Sequence, residues 1–366
     1  MRNRTRALLA TSWTLLLFVS GCEGGGGAET PPANRPKVGV ILPDRTTSAR
    51  WETLDHPLLA SALAATGVDA DIRNADGDVQ KFSQDADDLI RKGVKVLMVV
   101  SLDSQSGAEV ERKARAAGVA TVDYDRLTLG GSASYYVSFD NVGVGQLQAQ
   151  GLVDCLGQKR GARIVEIEGA PTDNNATLFH QGQEQVLKPK YDSGEYTLVR
   201  SQPIDNWDAE QAGGVFEQIL DANRDRVDGV VAANDGLADA VISVLRQHGL
   251  AGKVPVTGQD ATLAGLRSVL RGDQCMSVYK PVRDEAAAAA GLVSALAKGD
   301  KGSADTLATG VVRDEAGHRD VPALLIKPTM ITKANIKKVV SDNAVSAADL
   351  CAGDLAPLCR AADLPG

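Results

Sequence analysis

The chain has 366 residues, 43% hydrophobic but only 4% aromatic, and its 39 Lys and Arg stand against 47 Asp and Glu for a net charge of −8. This is the composition of a globular protein long enough for two domains of ordinary size. The acidic excess argues against nucleic acid as a partner, which demands clustered Lys and Arg, and it deepens from −8 to −11 without residues 1–21, which carry three Arg and no acid.

Arg2, Arg4 and Arg6 precede an apolar stretch from Ala7 to Val19. That stretch is too short for a spanning helix, which needs about 20 residues. A basic start, a short apolar core and small residues at the end read as a secretory signal over residues 1–21. Val19-Ser20-Gly21-Cys22 resembles the bacterial lipobox, in which the cysteine is lipidated and becomes the first residue, so Cys22 is the expected lipidation site. Residues 22–36, dominated by Gly and Pro, read as a flexible tether. The chain is therefore expected outside the cytoplasm, held to the outer face of the cell membrane through Cys22.

Beyond the tether, short apolar runs alternate with amphipathic stretches. Val38–Leu42 reads as a strand, Trp51–Ala65 as a helix ending at Gly67, Val68–Arg73 as a strand and Val79–Lys92 as a helix. Val94–Val100 follows as a buried strand, Ser106–Ala117 as a helix stopped by Gly118, and Ala120–Tyr124 as another strand. Alternation at this spacing predicts βαβ units, with helices on both faces of a parallel sheet. The pattern then recurs. The helix end and buried strand at Leu89–Val100 have a counterpart at Val227–Asp235, and the segment from Ala117 to Asp125 has one from His248 to Asp260. Two similar α/β lobes are the simplest reading.

Ligands of open α/β sheets bind outside the carboxyl ends of the strands. Those ends carry Asp44, Asp125-Arg126, Asp173-Asn174-Asn175, Asp205-Asn206-Trp207, Asn234-Asp235 and Asp260. Carboxylates, amides and Arg accept from and donate to hydroxyls, and Trp51 and Trp207 stand beside these clusters as faces for the C–H side of a sugar ring. The set suits a neutral polyol and repels a phosphate. Singly, each residue has a plainer reading. Asp173 and Asp235 are each placed to cap a following helix, and either Trp fits a core.

Four further cysteines, Cys155, Cys275, Cys351 and Cys359, allow three pairings. Cys351–Cys359 with Cys155–Cys275 is the favoured set, with free buried thiols at 155 and 275 as the alternative. No cofactor and no metal is expected. His56, His180, His248 and His318 form no metal-binding spacing, and His180 and His248 are expected on helix surfaces. Gly143-Val144-Gly145 begins like a dinucleotide fingerprint, but position 148 is Gln. Asn175-Ala176-Thr177 matches a glycosylation acceptor, read here as part of the ligand cleft instead.

From about Lys37 to Ile336 the sequence resembles the type I periplasmic binding proteins of sugar ABC transporters. The resemblance rests on Ala49-Arg50-Trp51, Val122-Asp123-Tyr124-Asp125-Arg126, Tyr136–Asn141, Asp173–Ala176, Val186–Pro189, Ala233-Asn234-Asp235, Gly252-Lys253 with Gly258–Ala261, and Val278–Pro281, in family order. It implies two Rossmann-like lobes joined by a three-segment hinge, and a ligand shell of Arg50, Trp51, Asp125 and Arg126 from the first lobe. Asp173, Asn175, Trp207, Asn234, Asp260 and Lys280 would complete the shell from the second lobe and hinge. It implies crossovers near Ser138–Asn141, Tyr279–Pro281 and Leu307–Gly310, hence lobes of 37–138 plus 282–307 and 139–281 plus 310–346. Residues 347–366 are an extension that the resemblance does not cover. Pro43–Ser48 and Ser101-Leu102-Asp103 depart from the family pattern on the first-lobe side of the cleft.

The function implied is capture of a monosaccharide by hinge closure and delivery to a membrane ABC permease by a monomeric receptor. D-xylose is the first ligand implied; ribose, arabinose, glucose and galactose are the alternatives, and a signalling receptor is an alternative recipient. Catalysis is not expected. Asp125 and Asp260 offer a glycosidase its two carboxylates, but no other catalytic pattern accompanies them. A sugar-responsive repressor would need a DNA-binding helix-turn-helix where the signal and tether stand.

Overall fold

The computed structural model describes residues 35–45, 48 and 50–364. Residues 1–34, with the expected leader, Cys22 and all of the expected tether but Arg35 and Pro36, lie outside the described residues. From the amino end the order is β1 (Lys37–Leu42), a π-type turn Trp51–Asp55, α1 (His56–Ala65), β2 (Asp69–Asn74), α2 (Val79–Arg91) and β3 (Val96–Val99). Then come α3 (Ser104–Ala116), β4 (Ala120–Tyr124), β5 (Tyr135–Phe139), α4 (Asn141–Leu156), β6 (Ala162–Glu168) and α5 (Asn174–Asp192). β7 (Tyr196–Pro203), a 3-10 turn Asp205–Trp207, α6 (Ala209–Ala222), β8 (Gly229–Ala232), α7 (Asp235–Gln247) and α8 (Leu263–Arg271) follow. The chain ends with β9 (Ser277–Tyr279), α9 (Val282–Ala297), α10 (Lys301–Leu307), β10 (Gly310–Asp314), β11 (Arg319–Ile326), β12 (Thr329–Ile331), α11 (Lys337–Ser341), α12 (Ala347–Leu350) and α13 (Ala356–Ala361).

The helix starts are written in the sequence as side-chain caps. Asp78, Asp103, Asp140, Asp173, Asp208, Asn234 and Thr262 each accept from a free backbone N–H of the first turn. The cap of α7 is thus Asn234, not the expected Asp235, because Asp235 is itself the first residue of the helix.

Both lobes have the same parallel plan. The first sheet runs β10-β11-β5-β4-β3-β1-β2, with only β10 antiparallel. The second runs β7-β6-β8 and continues through bridges Val230–Val256 and Gln259–Val278 to β9, which pairs antiparallel with β12. Core strands such as β1 and β3 are buried along nearly their whole length, as expected of parallel sheets covered on both faces.

The third crossover differs from expectation. Residues 310–326 do not open the second lobe. They form the β10–β11 hairpin of the first sheet, where β11 pairs with β5 and Val321 and Ala323 pack beside Tyr136 and Leu127. The chain crosses instead between Ile326 and Thr329, and Asp140 N–H donates to Ile326 O at 3.0 Å where two crossings run side by side. The hairpin was hidden because its outer strand alternates exposed and half-buried residues and carries no continuous apolar run.

Cys155 is bonded to Cys275 and Cys351 to Cys359. The extension folds back on α8, packing Leu350, Leu355, Cys359 and Leu364 against Leu266, Val269 and Leu270.

Helices α4 and α5 cross with backbones in contact. A Cβ on Gly182 would strike the Val142 carbonyl oxygen, and one on Gly145 the Phe179 carbonyl oxygen. Gly182→Ala should therefore destabilise the fold by about 1–3 kcal/mol, overpacking outweighing the better helix propensity of Ala. Urea unfolding checks this; an unchanged midpoint contradicts the crossing.

Candidate functional site

The ten side chains singled out from the sequence, Arg50, Trp51, Asp125, Arg126, Asp173, Asn175, Trp207, Asn234, Asp260 and Lys280, all line one cleft between the lobes. Its free space is small, about 30 Å3, far below the roughly 300–1,000 Å3 of open small-molecule sites, because the lining side chains meet across it. Asp44 is buried elsewhere, and Asp205 and Asn206 are exposed to solvent.

The internal repeat sets the geometry. Asp125 follows β4, and Asp260 follows the matching strand of the second lobe. Both have left-handed backbone, φ 61° and 93°. Both donate N–H to the neighbouring strand at 2.8 Å, Asp125 to Val137 O and Asp260 to Val278 O. Each carboxylate is thereby turned off its strand end into the cleft. Non-glycine residues in this region are uncommon and cluster at functional sites.

Arg50 is buried beneath the cleft. It donates to Asp55 through Nε and Nη2, each at 2.8 Å, to Asp125 through Nη1 at 2.8 Å, and to Glu285 through Nη2 at 2.7 Å. One of its five N–H groups remains for the cleft. Burial opposes the charge on Asp125, but Arg50, Lys280 and Arg126 outweigh it and hold this carboxyl below its ordinary range. Burial pushes Glu285 well above its range. Lys280, on the second crossing, pairs with Asp260 at 3.2 Å.

Two links span the lobes. Arg126 Nε lies 2.9 Å from Asp173 Oδ2. Asn175 Nδ2 donates to Asp125 Oδ1 at 3.1 Å, while Asn175 Oδ1 accepts from Asn141 at 2.8 Å.

The two tryptophans differ. Trp51 is 2% exposed, part of the first-lobe core, and carries the Arg50 and Arg126 guanidiniums 4.6 and 5.4 Å from its ring centre. Trp207 sits in a turn where it and Asn206 both have positive φ, 56° and 54°, an outlier for so bulky a residue. Its ring meets Phe179 edge to face at 6.4 Å and lies over Gly169, where any Cβ would strike the indole. Trp207 Nε1 and Gln259 Oε1 are buried without a hydrogen-bond partner among the described residues, so this cleft presents an unanswered donor and an unanswered acceptor.

Ser48, Phe179 and Gln259 also line the cleft and were not singled out. Phe179 lies one turn after Asn175 on the same helix face, a signal that was available. Asp55 and Glu285 carried none, because Glu285 meets Arg50 across 235 residues of chain.

Residues 38–301 match the periplasmic binding protein domain, and the chain belongs to that family. It is 36% identical over 308 residues to the D-xylose-binding periplasmic protein of Escherichia coli, covering 84% of this chain and 90% of that one. To the multiple sugar-binding periplasmic receptor ChvE of Rhizobium radiobacter it is 33% identical, covering 87% and 92%. A carbohydrate transporter solute-binding protein from Chloroflexus aurantiacus, solved with D-glucose, superposes with a TM-score of 0.77 at 31% identity, covering 85% of this chain and 97% of that one. The fold is accordingly the two-lobed periplasmic binding protein type. No helix among the described residues is long and apolar enough to cross a membrane.

Behind Asn234, Asp235 supports the site, accepting from Thr262 N at 2.8 Å, Ser277 Oγ at 2.7 Å and Gln274 Nε2 at 2.8 Å. Burial raises its carboxyl from 3.8 to about 6. The native state then holds a proton that the unfolded chain releases. This contribution is full below about pH 4 and is lost as pH rises to about 6, amounting to about 3 kcal/mol. Chemical unfolding of wild type and Asp235→Asn across that range should show the slope in the wild type and its loss in the variant.

Proposed function

We propose that this chain is the extracytoplasmic receptor of a sugar ABC importer, with D-xylose as its ligand, held at the membrane by a lipid on Cys22. The observation that carries the reading is the meeting, in one small cleft, of Asp125, Asn175, Asn234 and Asp260 from opposite lobes around the Trp207–Phe179 wall. Such a set answers the ring hydroxyls of a neutral sugar and covers its C–H face. The names of the relatives, xylose and multiple-sugar binding proteins, support the ligand class.

A sugar touching both lobes favours the closed arrangement by exactly those contacts that the open one lacks. Hydrogen bonds to charged groups contribute roughly 1.5–3 kcal/mol each. Several of them, less ordering and desolvation, give micromolar affinity or better, about −8 kcal/mol. The closed form is then the one the permease reads. A cleft closed by a bulky side chain such as Trp207 or Arg50 where glucose carries its hydroxymethyl group would exclude glucose and admit xylose.

Binding rather than hydrolysis fits the charges. A glycosidase needs one carboxyl kept protonated beside the bond it cleaves. Here Asp125 is held ionised by Arg50, Asp260 is paired with Lys280, and the raised Glu285 lies beyond Arg50.

Calorimetry with xylose, ribose, arabinose, glucose and galactose should give micromolar xylose binding and glucose at least about tenfold weaker, the discrimination one steric mismatch supplies. Absence of heat with every monosaccharide overturns the reading. Asp260→Ala should weaken xylose about ten- to a hundredfold. Gly169→Ala should do likewise by displacing the indole of Trp207, with its effect confined to the cleft and the melting temperature little changed.

A further inference from the structure

Glu166 and Glu168 stand two residues apart on β6 and so project from one face of the sheet, and both are buried, 3% and 6% exposed. Helix α5 crosses that face and brings His180 against them. Its Nδ1 lies 3.1 Å from Glu168 Oε1, and one ligand atom from each of the three residues lies within 4.8 Å of the other two. Tyr191, further along α5, donates to Glu166 Oε1 at 2.7 Å. Glu168 Oε2 is buried and has no hydrogen-bond partner among the described residues. His180 is thus a half-buried partner of a strand carboxylate rather than the surface residue expected.

We propose that Glu166, Glu168 and His180 form a binding site for a divalent transition-metal ion of the zinc type. Two carboxylates on one buried face are poorly tolerated without a cation between them. A metal ion neutralises both carboxylates and answers the free oxygen of Glu168. One imidazole and two carboxylates with a position left for water is a ligand set zinc accepts. The edges of a zinc tetrahedron are about 3.4 Å, and the three atoms already lie within 4.8 Å of one another. The His180 side chain, 38% exposed, gives the ion access from solvent. Tyr191 then orients Glu166 from outside the ligand set. The site is separate from the sugar cleft, although His180 follows Phe179 directly and β6–α5 carries Asp173 and Asn175, so a bound ion braces the unit that presents them.

A second group, Asp221, Asp225 and His248, is largely exposed and provides the control. Zinc chloride is titrated calorimetrically into the chelator-treated full chain, as wild type, His180→Ala, Glu168→Gln and His248→Ala. Melting temperature and xylose binding are recorded for each to verify folding. One micromolar equivalent is expected in wild type and His248→Ala, weakened at least about tenfold in both His180→Ala and Glu168→Gln. Absence of that equivalent in wild type, or equal zinc binding by wild type, His180→Ala and Glu168→Gln, overturns the proposal.

Discussion

A guanidinium removed from water must be neutralised by the protein around it, and the cleft is organised by how Arg50 meets that demand. Its three carboxylate partners come from separate parts of the chain: Asp55 from the turn before α1, Asp125 from the end of β4 and Glu285 from α9, just past the second crossover. An ion left unpaired at such depth costs several kcal/mol, so the turn, the strand end and the hinge helix are held in one arrangement. Tyr124 closes the network by donating to Asp55 at 2.7 Å. Lys280 repeats the device on the other side, between Asp260 and Asp125. The charges of the cleft are thus compensated within the protein before any ligand arrives. A neutral polyol adds hydrogen bonds without adding an unpaired charge, and an anion or cation would disturb the balance.

The same arrangement ties binding to motion. Asp125 is at once a partner of Arg50, a neighbour of Lys280 on the crossover and an acceptor from Asn175 of the opposite lobe. A group that serves the floor, the hinge and the facing wall would couple the proposed ligand contact to lobe closure. The left-handed backbone at Asp125 and Asp260, repeated in both lobes, shows the cost being met twice in the same place.

Much of this was legible in the sequence, for physical reasons. Parallel strands buried on both faces leave continuous apolar runs, and helix caps leave Asp, Asn or Thr at fixed offsets, so the βα alternation and the repeat could be read directly. The strand-end position of Asp125 and Asp260 followed from that repeat. What stayed hidden depends on tertiary pairing. The β10–β11 hairpin has an outer strand without a buried run, so its place in the first sheet is decided by β5 and not by its own pattern. Glu285 looks like an ordinary first-turn acid of α9, and only the fold brings it to Arg50. His180 and Glu168 lie twelve residues apart on different elements, where no spacing rule connects them.

In the proposed function a sugar is held between two lobes that close upon it. Its most direct test is the distance between spin labels on exposed positions of the two lobes, Glu109 on α3 and Glu217 on α6, measured with and without saturating D-xylose. Xylose should narrow the distance distribution and shift it to shorter separations. A distribution unchanged by xylose at a concentration that saturates binding would contradict it.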